Sequence, residues 1–452
     1  MASTMIRDMT RGPVVSQLFR FALPLFATNA LQALYNLVDM VIVGNYIGAP
    51  GMSAVSIGGD ILHLLTFVAM GFSSAGQVII ARLVGAKQHG EIRKTIGTMF
   101  TFLLSASVVI AAVCFLLRHS ILRWLNTPAA SADFAMDYMV TCICGLVFIY
   151  GYNIVSAILR GMGDSRRPFI FIAIAAILNT VLDILFVKYL GLKVFGAALA
   201  TVIGQGVSFI IAIIYLYRRK ESFGFDFRRR SFRIDGGAFR QLLALGIPMA
   251  IQSAAISFSK IVLMAWINLF DVTYSALAGI FNKINIVSGV ISMSFTTAGS
   301  TMAGQNLAAG EHRRVNRILG TVLAVGMALA GVFTLVMLLW PDAVYRAFKP
   351  DEAVLTAAGV LTLPIILNFY GSATRSAAFS LINGSGRPKL NLAIALIDGV
   401  IARIGLAALL GFAMHLDCFG FWMGDALAGF MPLVIGGTFY LSGRWKEKAR
   451  TA

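Results

Sequence analysis

Apolar runs of about twenty residues recur along the whole chain, separated by short polar stretches rich in arginine and lysine. A helix rises about 1.5 Å per residue, so each run is long enough to cross a hydrocarbon layer about 30 Å thick. The pattern predicts twelve transmembrane helices, at 16–44, 53–80, 95–117, 134–158, 168–189, 194–217, 241–269, 275–304, 317–340, 353–381, 389–412 and 418–442. The predicted fold class is an all-α polytopic membrane protein.

The second half repeats the first at an offset of roughly 220–224 residues. GFSSAGQVIIARLVGAKQHGEIRK (71–94) lines up with SFTTAGSTMAGQNLAAGEHRRVNR (294–317). FALPLFATNALQ (21–32) answers LGIPMAIQSAAI (245–256), and GMGDSRRP (161–168) answers GSGRP (384–388). Six spans per half give both halves the same orientation, so the expected architecture is two six-helix lobes related by a pseudo-twofold along the membrane normal. The expected division is 1–217 for the first lobe, 218–240 for a basic linker and 241–452 for the second lobe.

Against this apolar background a few polar residues stand out inside the spans. Asp39 lies in LQALYNLVDMVIVG (31–44), and Asn179 and Asp183 lie in FIAIAAILNTVLDILFV (171–187). A carboxylate at bilayer depth costs roughly 2.5–3.5 kcal/mol on insertion scales, and such groups commonly mark ion or proton pathways. Asn179 and Asp183 are spaced i,i+4 and share a helix face, as do Tyr35 and Asp39. In the sixth span Ala197 and Thr201 share a face, with Gln205 one turn on, and Asn153 adds an amide in the fourth. A hard monovalent cation is held by carboxylate, carbonyl and hydroxyl oxygens. A proton is held by a carboxylate that burial keeps from ionising. Asp39, Asn179, Asp183 and Thr201 suit either. The stripe Gly196, Ala200 and Gly204 reads as close helix packing. Pro24 removes a backbone hydrogen bond in the first span and is the expected hinge.

The chain has 452 residues, 58% hydrophobic and 13% charged, with a formal charge of +17. That charge does not point to nucleic acid, because it is concentrated in alternate loops. One set carries Arg82 to Lys94, Arg160 to Arg167, the 218–240 segment, Arg313 to Arg317, Arg387 with Lys389, and Arg444 to Arg450. The opposite loops carry only Arg118, Arg123, Lys188, Lys193, Arg346 and Lys349. The positive-inside rule then places both termini and the basic loops in the cytoplasm, with the chain in the cell membrane. MASTMIRDMTRGPVV lacks the core and cleavage site of a secretory signal, so the first span is expected to be retained. Cys114, Cys142, Cys144 and Cys418 fall in apolar segments without metal-ligand spacing and read as small core residues.

With these residues in place the chain resembles the multidrug and toxic compound extrusion (MATE) family. The resemblance rests on the twelve spans, the P-x(14)-D-x(4)-G pattern of Pro24, Asp39 and Gly44, the N-x-x-x-D of Asn179 and Asp183, and the basic loop after the second span. It implies an antiporter that exports organic, usually cationic, compounds in exchange for protons or Na⁺. It implies a cation site at Asp39, Asn179, Asp183, Ala197 (through its carbonyl) and Thr201, with Tyr35 and Asn153 nearby. One branch of the family carries a second-lobe glutamate in the seventh span. Here that segment reads GIPMAIQSAAIS, and Gln252 is the nearest polar residue. The resemblance is therefore to the DinF-like branch, whose ion site sits in the first lobe.

The second lobe differs in sign. Lys260, Lys283, Arg375 and Arg403 fall within or near its spans, with Asp398 and Asp425. At the repeat offset Lys283 takes the place of Asp60, and Arg403 the place of Asp183. Internal salt bridging, such as Arg375 or Arg403 with Asp398, is one reading, and contact with an anionic or zwitterionic cargo is the other. No H-E-x-x-H, G-x-S-x-G or P-loop lysine is present, which argues against an enzyme and an ATP-driven pump. No repeated carbonyl filter or ring of acids suggests a channel. A flippase for a lipid-linked or anionic amphiphile is the alternative. The expected partners are small organic substrates and the bilayer, with no nucleic acid. The expected protein is a monomer without cofactor or metal centre, its coupling ion being H⁺ or Na⁺.

Overall fold

A computed structural model of the chain describes residues 6–348 and 350–447. Lys349 and Arg450, which entered the charge pattern, lie outside the described residues. Among the described residues eleven helices are long and apolar enough to cross a membrane, and a bent pair makes a twelfth if counted as one span. We label them α1 (Val14–Ile47), α2 (Ala49–Gly85), α3 (His89–Trp124), α4 (Ala129–Cys144 with Leu146–Gly161), α5 (Arg166–Tyr189) and α6 (Lys193–Arg218). The second half continues with α7 (Gly236–Ile267), α8 (Val272–Ala308), α9 (His312–Leu339), α10 (Glu352–Ser385), α11 (Pro388–Ala413) and α12 (Asp417–Leu441). No strand occurs among the described residues.

Two departures from straight spans matter for the site. Span α4 bends by 47° at Gly145. A Cβ at that glycine would strike Val202 of α6, so the break lets the two helices close up. The last turn of α5, Ile184–Tyr189, is π-helical, and α11 carries two such turns, Ile397–Ala402 and Leu409–Ala413. Each π turn inserts a residue and rotates the rest of the span around the helix axis. Among the cysteines Cys114, Cys142 and Cys418 are buried as expected, but Cys144 is exposed, because two residues on from Cys142 it lies on the opposite face of the same helical segment.

The chain forms two compact units, one built on Ala27–Gly246 and the other on Asp8–Phe26 with the described residues of Ile247–Ala452. The changeovers at Phe26–Ala27 and Gly246–Ile247 fall inside helices, α1 and α7, beside the helix-interior prolines Pro24 and Pro248. In the second unit the start of α1 is held by an apolar cluster that joins Leu18, Phe21 and Leu25 to Met302, Ile318 and Val322. Arg314 fixes the approach to it, donating to the carbonyls of Gly12 (2.7 Å) and Met9 (3.1 Å) and to Gln17 Oε1 (3.2 Å). Elsewhere in this unit α8 and α10 are joined by serine hydroxyls, Ser288 with Ser372 at 2.6 Å and Ser292 with Ser376 at 2.8 Å. Such small polar contacts replace the hydrophobic drive that lipid removes.

In the first unit the stretch between α6 and α7 is tied down in a comparable way. Phe223 and Phe225 are buried, and Phe225 stacks its ring near Phe100 of α3. Arg93 of α3 pairs with Asp226 (3.1 Å) and donates to Ser231 (2.8 Å). Asp235 takes its own N–H to Thr98 and caps α7 by accepting from the N–H of Ala238 at 3.0 Å. Gly97 makes the fit possible, since a Cβ there would run into the Ser231 carbonyl oxygen. Gly97→Ala is therefore expected to lift this stretch from α3 and speed tryptic cleavage at Arg228 to Arg230. Gly90→Ala on the same helix, where a Cβ meets open space, should cleave like the wild type. Equal cleavage of both variants would refute the packing role.

Candidate functional site

In the first unit α1, α5 and α6 bring Asp39, Asn179, Asp183 and Thr201 into one buried group. Asp183 is fully buried, and Asp39 and Asn179 are each 3% exposed. Thr201 is the centre of the hydrogen bonding. Its hydroxyl lies 3.3 Å from Asp39 Oδ2 and 3.1 Å from the Ala197 carbonyl, while Asn179 Nδ2 approaches it at 3.4 Å. One hydroxyl proton cannot serve both acceptors fully. Gln205 reaches the Tyr35 hydroxyl at 3.5 Å, and a cavity of about 10 Å³ opens between Tyr35, Asn179, Thr201 and Gln205. The close approach of α5 to α6 depends on Gly204, whose missing Cβ leaves room for the Ala175 carbonyl at 3.1 Å and Asn179 Cβ at 3.3 Å.

The site has too many acceptors and too few donors. Asp39 Oδ1, Asn179 Oδ1, both oxygens of Asp183 and Gln205 Oε1 are buried without a hydrogen-bond partner. An unsatisfied buried acceptor costs its desolvation penalty, about 1–3 kcal/mol and more when charged. Asp39 and Asp183 are close enough to bond one another once a proton sits on either. As two carboxylates they only repel. A proton or a small hard cation is what this arrangement lacks chemically.

Not every residue singled out from the sequence joins the group. Asn153 donates to the Ile149 carbonyl (2.8 Å) of its own helix and makes no side-chain bond to the acids. Tyr138 and Cys142, on the first segment of α4, are buried and lie within electrostatic range of Asp39. Their i,i+4 spacing was the one available signal, and it is indistinguishable from ordinary core spacing.

The second unit answers this site with a buried ion network. Arg403 is buried, pairs with Asp425 of α12 and lies 3.5 Å from Asp398, which also accepts from Arg375 at 3.0 Å. The salt-bridged reading of Arg375, Arg403 and Asp398 is the arrangement found. Lys260 and Lys283 are exposed and form no ion pair among the described residues, and Gln252 Nε2 is buried without a partner.

The place of Arg403 in the repeat needs correction. Left-handed backbone occurs at Gly191 (φ 64°) and Lys193 (φ 51°), and again at His415 (φ 55°) and Asp417 (φ 48°), an offset of 224. At that offset Asn179 corresponds to Arg403 and Thr201 to Asp425. Each pair joins the fifth and sixth spans of its own half, across the same separation of 22 residues. Arg403 thus takes the place of Asn179, one helical turn from the expected Asp183. The proline-anchored alignment slips because GSGRP is shorter than GMGDSRRP and α11 carries an added π turn.

The profile of the MatE family matches residues 24–185 and 248–409, one stretch in each half. The chain belongs to the MatE family. It is a multi-pass membrane transporter of the multidrug-efflux class, and not an enzyme. A probable multidrug resistance protein, YoeA of Bacillus subtilis, is 27% identical over 440 residues, covering 95% of this chain and 94% of that protein. A FAD transporter of Shewanella oneidensis is 23% identical over 386 residues, 83% of each chain. Among solved structures, MATE in the bent conformation matches with a TM-score of 0.87 at 20% identity, over 98% of this chain and 97% of that one. A MOP superfamily transporter from Pyrococcus furiosus, whose binding pocket is described as having reverse polarity, matches with a TM-score of 0.87 at 20% identity over 99% of both.

The buried ion network in this MatE transporter has a measurable signature. Removing one partner of a buried pair costs about 3–5 kcal/mol, whereas apolar replacement of both is close to neutral. Asp425→Leu should lower unfolding stability in mixed micelles by that amount, and Arg403→Met added to it should restore most of the loss. Asp398 keeps Arg375 in both variants. A double variant no more stable than Asp425→Leu would contradict the pairing.

Proposed function

We propose that the chain is a secondary antiporter that exports organic cations or zwitterions in exchange for H⁺ or Na⁺ by alternating access, its coupling ion held at Asp39, Asn179, Asp183, Ala197 and Thr201. The observation that carries this reading is the set of buried acceptor oxygens without donors in the first unit. In the outward-facing state Asp39 and Asp183 accept the external ion. The ion supplies the missing positive charge, draws Thr201 and Asn179 into a tighter shell, and weakens the hold on cargo. Pro24, where α1 lacks a backbone hydrogen bond, is the bending point. The protein works as a monomer in the cell membrane, with its termini and basic loops in the cytoplasm.

The energetics suffice with one ion per cargo. A proton crossing about 150 mV releases roughly 3.5 kcal/mol. A hundredfold cargo gradient requires about 2.7 kcal/mol. A second reading, a flippase for a lipid-linked or anionic amphiphile, is favoured by one feature only, the surplus of bases over acids in the second unit.

Efflux from proteoliposomes under an imposed pH gradient or Na⁺ gradient tests the assignment and names the ion. Asp39→Asn and Asp183→Asn should each lower gradient-driven efflux by roughly tenfold or more, about 1.4 kcal/mol in activation free energy. Normal transport by both variants under either gradient would sink it. Transfer of a lipid-linked cargo to the outer leaflet would establish the flippase instead.

A further inference from the structure

The ion network of the second unit is not neutral. Lys260, Arg375 and Arg403 face two acids, Asp398 and Asp425. Arg403 sits between both acids and is buried, so its charge is spent. Arg375 shares Asp398 with it and keeps 18% of its side chain exposed. Its Nε is buried without a partner. Lys260 is within electrostatic range of Asp425, Arg403 and Arg375, yet it has no carboxylate within ion-pair distance among the described residues.

The backbone fixes Lys260 beside this network. The preceding residue, Ser259, donates its hydroxyl to the Gly399 carbonyl in the π turn that also carries Asp398. Gly399 has no Cβ, and one there would meet Ala255 at 2.7 Å, so α7 lies directly on that turn. Gln252, two turns earlier on α7, holds a buried amide Nε2 with no acceptor. The second unit therefore presents donors in surplus, an ammonium, a guanidinium edge and an amide, where the first presents acceptors in surplus. A group with acceptor oxygens and one negative charge satisfies both the charge and the hydrogen bonds.

We infer that Lys260 and Arg375, steadied by the Arg403–Asp398–Asp425 network, form a binding site for one acidic group of the cargo, a carboxylate or a phosphate. The inference rests on the transporter reading above and narrows its substrate class to zwitterions. Arg403 is a positioning residue, because its charge is already paired.

A matched pair of dyes tests this without any ion gradient, so its outcome is separate from that of the coupling assignment. Rhodamine 19 carries a free carboxylate, and rhodamine 6G is its ethyl ester with a net positive charge. Fluorescence anisotropy with the purified full chain in neutral detergent should give about tenfold tighter binding of the acid, the scale of one charge-assisted hydrogen bond. Lys260→Gln should erase that preference while leaving rhodamine 6G binding in place, which also reports that the variant is folded. Lys260→Arg should keep it. Equal binding of acid and ester by the wild type overturns the inference with no variant needed, as does an undiminished preference in Lys260→Gln. Displacement of rhodamine 19 by phosphatidylglycerol but not by phosphatidylcholine would support the site with a lipid headgroup as the source of the acid. Absence of displacement would support it with a soluble cargo.

Discussion

In a hydrocarbon layer a polar group finds its partner inside the protein or has none, and this constraint shapes both units. Each unit brings a pair of side chains together from its fifth and sixth spans, at equivalent positions. In the first the pair is Asn179 with Thr201, and in the second Arg403 with Asp425. The neutral pair leaves Asp39 Oδ1 and both carboxyl oxygens of the neighbouring Asp183 without donors. The charged pair closes on itself and takes Asp398 with it. One frame thus yields an open acceptor site in one half and a filled one in the other.

Small residues make the frame tight enough for these differences to matter. Gly204 sets α6 against α5 at the level of Asn179, and Gly145 sets α4 against α6 through a bend. Both positions trade a side chain for backbone approach, so the polar groups meet over distances that leave room for about one water-sized guest. The prolines of α1 and α7 have a different part. They sit where each helix passes from one unit's packing to the other's, and they remove a backbone hydrogen bond at that point.

The span count, the all-α class and the internal repeat were legible because hydrophobic length is a nearly local property. Asp39, Asn179 and Asp183 were legible for the converse reason, since an acid or amide in an apolar run has no inexpensive explanation. The bend of α4 was not, because a lone glycine among apolar residues reads the same whether the helix runs on or breaks. Nor was the register of α11. A π turn adds one residue with no signature in the sequence, and GSGRP is three shorter than GMGDSRRP, so an alignment anchored at Pro168 and Pro388 slips by four and puts Arg403 opposite Asp183. Asn153 failed in another way. Its amide can be satisfied by its own helix, and the sequence does not say which acceptor wins. Cys144 lies two residues after Cys142 on the same helical segment and so faces the opposite side, which leaves its thiol exposed while that of Cys142 is buried.

The equivalence of Asn179 with Arg403 bears directly on where coupling can reside. A guanidinium, attached to the chain, delivers to the second unit the positive charge that on the proposed reading the first obtains from solution. It does not dissociate, because arginine keeps its proton across the physiological range. Whatever gradient drives the transporter, the second network cannot exchange with it, so on the proposed reading all exchange falls to Asp39 and Asp183. The same covalent charge leaves Lys260 and Arg375 in excess over the acids around them. On the proposed reading the half that does not hold the coupling ion is therefore the half with charge left over for an anion, and a single pair of side-chain replacements accounts for both.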